Sequence, residues 1–535
     1  MQTLEKPTRL RTGDRPTRGI PHPFPRAKML GAASHGLPLP HALEMRAWSA
    51  AVSHPVIHAS GGSAPRRTAR LGVVAPGTPA SSLGRVSIYR LLLALACVVA
   101  SPAVAAELLL EHATIIDVDA TGIREGHLLI QDDRIVAVLA QPPVPFGGTR
   151  LNLAGRWVIP GLYDMHTHAY GNKSPAGAYQ RLGLKNAARA MLYAGVTGFL
   201  DLFSEENEIL ELRDRQRAGQ LSMPEERLAD IHAAGPIFTC SGGHGTEYGM
   251  FTRVINTPQQ AQLEIAALAY KSPDVIKIVY DHAAPRFPTL DRETLRTAIA
   301  TAGRFRLKTV IHIGTWQDAE EAVQDGADAI THTHGAPIPD RLVQLMQARG
   351  TVYIPTLAVQ SELLNILEQP ALLARPLLTE MVPASFLETY REPEQFPPGV
   401  AFFRRWQQHG REMFFKNFTT LLQAGVVTLA GTDAGNIGTF QGYSLHRELE
   451  LMVTHGATPW QALASATTLA GRFLQEEAGV RPGALANLVV LDASPVADIR
   501  NTAKIATVIH RGQLVDRTTL QGKINQGFAP SAPRE

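Results

Sequence analysis

The sequence predicts an α/β protein built on a (β/α)8 barrel, with a small β-sandwich domain formed from both termini of the mature chain. Three observations carry this reading. From residue 158 onward, eight short apolar runs rich in β-branched residues recur, with helical patterns between most of them. No glycine-rich dinucleotide fingerprint follows the first run, which disfavours an open, doubly wound sheet. The remaining strand-like stretches flank this region, in 107–158 and 476–520.

Residues 1–84 read as a disordered leader, rich in Pro, Gly, Ser, Arg and Ala with no sustained period of 2 or 3.6. Residues 85–106 read as a secretory signal peptide. A basic start with Arg85 and Arg90 precedes an apolar run over 91–100, and Ser101-Pro-Ala-Val-Ala-Ala106 closes it with small residues. The apolar run is too short for a spanning helix. Cleavage is expected after Ala106 or one residue earlier. A signal sits at a true N-terminus, so translation is expected to begin later than residue 1, at Val86 if its codon is a GTG read as Met.

Residues 107–158 form the N-terminal part of the β-domain, with Gly122, Gly126 and Asp132-Asp133 punctuating short strands. The barrel occupies 159–475. Its expected strands are 158–162, 196–202, 228–233, 275–280, 309–313, 329–333, 352–357 and 426–431, with helices over 257–271, 291–304 and 339–349. Between the last two strands, 358–422 reads as a helical insertion broken by prolines, placed as a lid over the barrel mouth. Residues 476–520 return to strands and complete the β-domain, and 521–535 form a flexible tail. No solenoid-type repeat is present.

The composition, 45% hydrophobic and 19% charged over 535 residues, is that of a globular protein with a large core. The whole chain is formally +3, but residues 1–84 hold 11 basic and 3 acidic residues. Without that +8 and the two arginines of the signal, residues 107–535 carry −7. A mildly acidic mature protein gives no support for nucleic-acid binding. Of the two cysteines, Cys97 lies in the signal, so Cys240 stands alone and the mature chain forms no internal disulfide.

Polar residues then stand out at the ends of the apolar barrel runs. His166 and His168 close the first, in Asp164-Met-His-Thr-His168. Lys277 sits in Val275-Ile-Lys-Ile-Val-Tyr280, His312 in Val310-Ile-His-Ile-Gly314, His332 in Ile330-Thr-His-Thr-His-Gly335, and Asp433 in Ala430-Gly-Thr-Asp-Ala434. Strand residues two apart face the same side, so His166 and His168 can grip one ion together. Each residue alone has an ordinary explanation, a hydrogen-bonded core histidine or a snorkelling lysine. All six at strand ends of one barrel do not, because buried charge is costly unless paired or metal-bound.

With these runs in view, the sequence resembles the metal-dependent amidohydrolase superfamily, in its imidazolonepropionase-like and prolidase-like branch. The matching segments also include Ser241-Gly-Gly-His-Gly245, Leu445-His-Arg-Glu-Leu449 and Pro482-Gly-Ala-Leu-Ala-Asn-Leu-Val-Val-Leu491, and the resemblance spans roughly residues 108–516. It implies a binuclear site: His166, His168 and Asp433 on one metal, His312 and His332 on the other, and a carboxylated Lys277 between them. Imidazole and carboxylate ligands suit Zn²⁺, two per chain. Some branches lack the lysine and use one metal. His334 is the alternative to His332, two residues on and facing the same way in a strand. Asn487 stands where the family usually carries Asp.

The resemblance implies hydrolysis of an amide C–N bond by metal-activated hydroxide, with Asp433 as ligand and as general base then acid. A dipeptide or N-acyl amino acid is the expected small-molecule substrate. Cyclic amides of imidazolone or lactam type, or esters and lactones, are the alternatives on the same site, and a periplasmic binding protein is the non-enzymatic one. His244, in its glycine-rich loop, and Tyr280 are candidate substrate contacts. His446 and Glu448 read as a structural pair on a helix. An exported protein, periplasmic or secreted, is expected, with no membrane span after signal removal; a homo-oligomer stays open.

Overall fold

The computed structural model describes residues 107–528, apart from 176–178, 181, 222 and 285–286. The expected leader and signal peptide, and residues 529–535 of the expected flexible tail, lie outside the described residues; residues 521–527 are not a loose tail but part of a helix, Arg517–Gly527, which buries Leu520 and Ile524.

The N-terminal strands are β1 (Glu107–Asp117), β2 (Gly122–Gln131), β3 (Arg134–Leu139), β4 (Thr149–Asn152) and β5 (Trp157–Pro160). Seven barrel strands follow: β6 (Leu162–Thr167), β7 (Val196–Asp201), β8 (Asp230–Ala233), β9 (Val275–Tyr280), β10 (Lys308–Ile313), β11 (Ala329–Thr331) and β12 (Val352–Ile354). The chain ends with β13 (Leu488–Leu491), β14 (Ile505–His510) and β15 (Gln513–Leu514).

Strands from both ends do join, as expected. They form one eight-stranded sheet in the order β15-β14-β13-β5-β1-β2-β3, with β4 on β1. It encloses its own apolar cluster, which includes Leu110, Ile115, Ile130, Val158, Val490 and Ile509. The link between sheet and barrel is β5. It pairs with β1 and β13, and after the single residue Gly161 the chain becomes β6. A Cβ on Gly161 would lie 2.1 Å from Thr197 Oγ1, so only glycine lets the chain pass this close to β7.

The barrel strands pair in parallel, β6 with β7 and β7 with β8, then β9 through β12 in order. Between the two groups, Asp274 N–H donates to Ala233 O, and Phe238 registers with Ile278. The expected eighth strand, 426–431, is not a strand. Only Thr428 bridges to Tyr353. The segment nonetheless closes the barrel: Leu429 N–H donates to Tyr353 O, Met165 N–H to Ala430 O, and Asp433 N–H to His166 O. Asp433 has φ 58 and Gly435 φ 113, which no extended strand tolerates. The barrel floor is filled by inward residues such as Met165, Leu200, Val275, Val310 and Leu429.

Helices cover the outside, as the period of the sequence requires. Pro258–Ala269, Arg292–Arg304 and Asp340–Arg349 lie within a residue or two of expectation. The insertion contains α1 (Leu357–Glu368), two short helices and the long α2 (Pro398–Gln423). Its prolines begin helices rather than only ending them: Pro376 and Pro398 occupy first-turn positions, where a missing N–H costs nothing. Gln407 of α2 bonds backbone atoms of Val359 and Leu364 in α1, and Asn417 holds the backbone of His334, Ala336 and Ile338. One further helix, α3 (Tyr443–Thr454), packs against α1. Among the described residues, no helix is long and apolar enough to cross a membrane.

Candidate functional site

The strand register decides which side chains reach the barrel interior. In β9, Val275 belongs to the interior cluster, while Ile276, Ile278 and Tyr280 join the layer beneath the helices. Lys277 and Val279 therefore face inward, and both line the cavity at the barrel mouth. In β10, His312 faces in by the same rule, between Ile311 and Ile313 in the outer layer. The first strand needs a further device. Between Asp164 and Thr167, β6 holds one more residue than β7 between Phe199 and Asp201. This bulge lets consecutive residues face inward, Met165 into the floor and His166 into the cavity.

Six sequence-predicted ligands line that one cavity: His166, His168, Lys277, His312, His332 and Asp433. Ligand atoms of His166, His332 and Asp433 lie within 4.8 Å of one another. Asp433 Oδ1 is 2.7 Å from His168 Nε2 and 3.5 Å from His166 Nε2. Lys277 Nζ is 3.5 Å from His166 Nε2. The His312 ring centres 4.4 Å from that of His332, which in turn is 4.9 Å from His166. His332, not His334, belongs to the cluster. His334 is turned away, its Nδ1 accepting from Ala336 N–H and its ring beside Trp316.

Two threonines that sequence reasoning passed over stand behind the histidines. Thr331 Oγ1 is 2.7 Å from His166 Nδ1, and Thr356 Oγ1 is 2.9 Å from His332 Nδ1. Both rings therefore have Nδ1 engaged by a threonine, which leaves Nε2 as the nitrogen available to an ion; that of His166 is directed at Asp433 and Lys277. Asp281 was also missed; its Oδ2 lies 3.6 Å from His312 Nε2. Neither a threonine in a β run nor an aspartate just past one carries a signal of its own. The residues present thus fit a divalent ion: imidazole nitrogens and a carboxylate converge on one buried point.

The electrostatics agree with that chemistry. Burial lowers the Lys277 ammonium to about 7. Burial, with neighbouring cations, holds His166 and His332 well below the usual imidazole range, so both are neutral donors. Burial opposes ionisation of Asp433, but His166 and His168 outweigh it and hold the carboxyl well below its ordinary value. Asp164 beneath the site is pushed up to about 7 by burial, although Thr432 bonds it through both N–H and hydroxyl. Three non-glycine residues here have left-handed backbone: His332 (φ 77), Thr356 (φ 53) and Asp433 (φ 58). Each costs about 1–3 kcal/mol, which the surrounding packing must hold in place.

His244 lines the cavity, its ring 5.0 Å from His312 and its Nδ1 2.7 Å from Glu247 Oε1. Tyr170, Phe203 and Tyr248 form an aromatic wall on that side. Tyr280 is not part of the site. It points outward and donates its hydroxyl to Glu321, because residues three apart on a strand face opposite ways. His446 and Glu448 do not pair with each other. His446 contacts Thr502 and Ala194 O, whereas Glu448 accepts from Leu357 and Ala358 N–H. No residue of 358–422 lines the cavity; Tyr390 of that segment instead accepts from Gly438 N–H, behind the loop that carries Asp433.

Comparison with known proteins adds four likenesses. The Amidohydrolase family model matches residues 157–515. An imidazolonepropionase of Klebsiella pneumoniae subsp. pneumoniae is 25% identical over 391 residues, covering 70% of this chain and 87% of that protein. Among solved structures, a Xaa-Pro dipeptidase with methionine in its active site superposes with a TM-score of 0.64. It is 20% identical and covers 76% of this chain and 99% of its own. A prolidase complexed with N-methylphosphonate-L-proline gives a TM-score of 0.60 at 23% identity, over 77% and 99%.

Proposed function

This chain belongs to the amidohydrolase family, and from that premise we propose that it is an exported zinc-dependent enzyme cleaving the amide bond of a dipeptide or N-acyl amino acid. That it hydrolyses carbon–nitrogen bonds follows from the family itself. The observation that carries the finer reading is the convergence of His166, His332 and Asp433 within 4.8 Å, with His168, Lys277 and His312 around them.

His166, His168 and Asp433 would hold one zinc, and His312 and His332 a second. Lys277 Nζ lies 3.5 Å from His166 Nε2, and burial brings its ammonium down to about 7, so that near neutral pH a substantial share of the amine is unprotonated. An unprotonated Nζ could add to carbon dioxide with loss of one proton, and the resulting carbamate would offer anionic oxygen ligands in place of a cation. Bound zinc ions supply Lewis acidity, which polarises a carbonyl and acidifies water.

The chain's own residues do the rest. Asp433 accepts the proton of the attacking water and returns it to the leaving nitrogen, so that one C–O bond forms as the C–N bond breaks. Its carboxyl, held well below its ordinary value against the opposing effect of burial by His166 and His168, is ionised at rest and free of a proton. His244, beside the aromatic wall, would donate to a substrate carboxylate, and Tyr170, Phe203 and Tyr248 would pack against the apolar part of the substrate.

The 25% identity with an imidazolonepropionase favours a second reading, a cyclic amide on the same site. A panel assay of the zinc-loaded protein separates them. Turnover of Xaa-Pro dipeptides and N-acyl amino acids supports the first reading, and turnover of imidazolones or lactams alone supports the second. The signal-like pattern of residues 85–106 supports export, which is checked by sequencing the mature N-terminus from a cell fraction.

A further inference from the structure

We infer that Glu448, which touches neither the cavity nor a ligand, is a positioning residue for His332, acting by capping helix α1 in place of Thr356.

Thr356 is the residue that precedes α1, the position where a threonine ordinarily turns its hydroxyl onto the N–H groups of its own helix. Here it makes no such bond. Its backbone is left-handed, φ 53 and ψ 48, which is unfavourable for a β-branched residue. Its hydroxyl is spent on His332 Nδ1, at 2.9 Å. Diverting that hydroxyl leaves the first N–H groups of a fully buried helix start without an acceptor, a cost no buried helix end carries unrelieved.

Glu448 supplies the acceptor. It projects from α3, some ninety residues further along the chain, and is fully buried. Its Oε1 accepts from Leu357 N–H at 2.9 Å and its Oε2 from Ala358 N–H at 2.6 Å. A second contact clamps the same two helices: Arg447 donates to Glu362 of α1 at 2.8 Å. The carboxylate thus performs the capping that Thr356 has given up, and so holds Thr356 in the conformation that aims its hydroxyl at His332. With its Nδ1 engaged, the His332 ring presents Nε2 to the ion.

The inference rests on the proposed zinc site, so the experiment measures metal binding in the full chain, free of any substrate. Zinc affinity is read by chelator competition, and ligand geometry by the visible absorption of the cobalt-substituted protein. Glu448→Gln, in which an amide N–H would face one of the helix N–H groups, is expected to weaken zinc at least about tenfold and alter the cobalt bands. Thr356→Val should do the same, and Thr356→Ser should retain wild-type binding. Because one residue acts through the other, the double variant Glu448→Gln/Thr356→Val should bind no more weakly than Thr356→Val alone.

Unchanged zinc affinity and cobalt bands in Glu448→Gln overturn the inference, as do losses that multiply in the double variant. If Glu448→Gln does not fold, wild-type binding by Thr356→Val overturns it equally. A wild-type chain that binds zinc and cleaves amides beside an unaffected Glu448→Gln removes only the positioning role. A wild-type chain that takes up no zinc removes the functional reading with it.

Discussion

The Thr331 hydroxyl lies 2.7 Å from Nδ1 of His166, and both side chains are buried. That contact fixes the ring of a histidine whose other nitrogen faces Asp433 and Lys277. Thr331→Val keeps the shape and removes the oxygen. It should weaken zinc binding about 10- to 100-fold, read by chelator competition, and leave the thermal midpoint of the metal-free protein little changed.

Asp433 is both a candidate ligand and the proposed proton carrier. Asp433→Asn keeps an oxygen donor but cannot take a proton. Turnover of the best dipeptide or N-acyl substrate should fall by about 10²–10⁴, with zinc still bound. Turnover at the wild-type rate would remove the residue from the reaction.

Tyr280 faces away from the cavity, toward Glu321. Tyr280→Phe should therefore leave kcat/KM unchanged while lowering stability by about 1 kcal/mol through the lost hydrogen bond. A large fall in kcat/KM at unaltered stability would restore Tyr280 to the site.

Asn487 explains its own departure from the family's usual aspartate. Its Nδ2 donates to Asp230 Oδ2 at 3.0 Å, and its Oδ1 accepts from Arg511 N–H at 2.7 Å. Asp230 also takes Arg511 Nε at 2.8 Å. An aspartate at 487 could not donate and would set two buried carboxylates side by side. Asn487→Asp should cost about 2 kcal/mol or more in urea unfolding at pH 7, and less as the pH falls and one carboxyl is protonated.

His232 is fully buried between Asp274 and Glu476, at 3.7 and 3.3 Å. Burial works against its charged form, but these carboxylates outweigh it and raise the imidazole to about 9, against an unfolded value near 6.5. Its folded pKa is the higher one, so its stabilisation is complete below about pH 6.5 and disappears as the pH rises through 9. The shift corresponds to about 3 kcal/mol. Urea midpoints measured from pH 6 to 10 should fall more steeply for the wild type than for His232→Gln.

Much of this site was legible because imidazole, lysine and carboxylate at the ends of apolar runs violate the rule that such runs bury only apolar groups. His166, His312 and Asp433 announced themselves that way. Tyr280 misled because its nearness to Lys277 in sequence hid their opposite facing across the pleat. The eighth strand misled because the runs of Val, Leu and Ala in 426–431 satisfy the strand pattern, while Gly431 and the left-handed Asp433 bend the backbone that follows. Thr331, Thr356 and Glu448 were illegible for another reason. Each has an ordinary role in its own element, and only the partner it meets across the fold gives it a second one.

The single residue between β5 and β6 has a practical consequence. The strand that pairs β1 with β13 continues, one glycine later, into the strand that carries His166. No cleavable linker separates the terminal sheet from the barrel. A trimmed protein beginning at residue 162 would leave the edge of β13 without its partner β5 and lose the anchor of its own first strand. Dissection into separately expressed parts should give insoluble material, and directed evolution of the barrel has to carry the terminal sheet along with it.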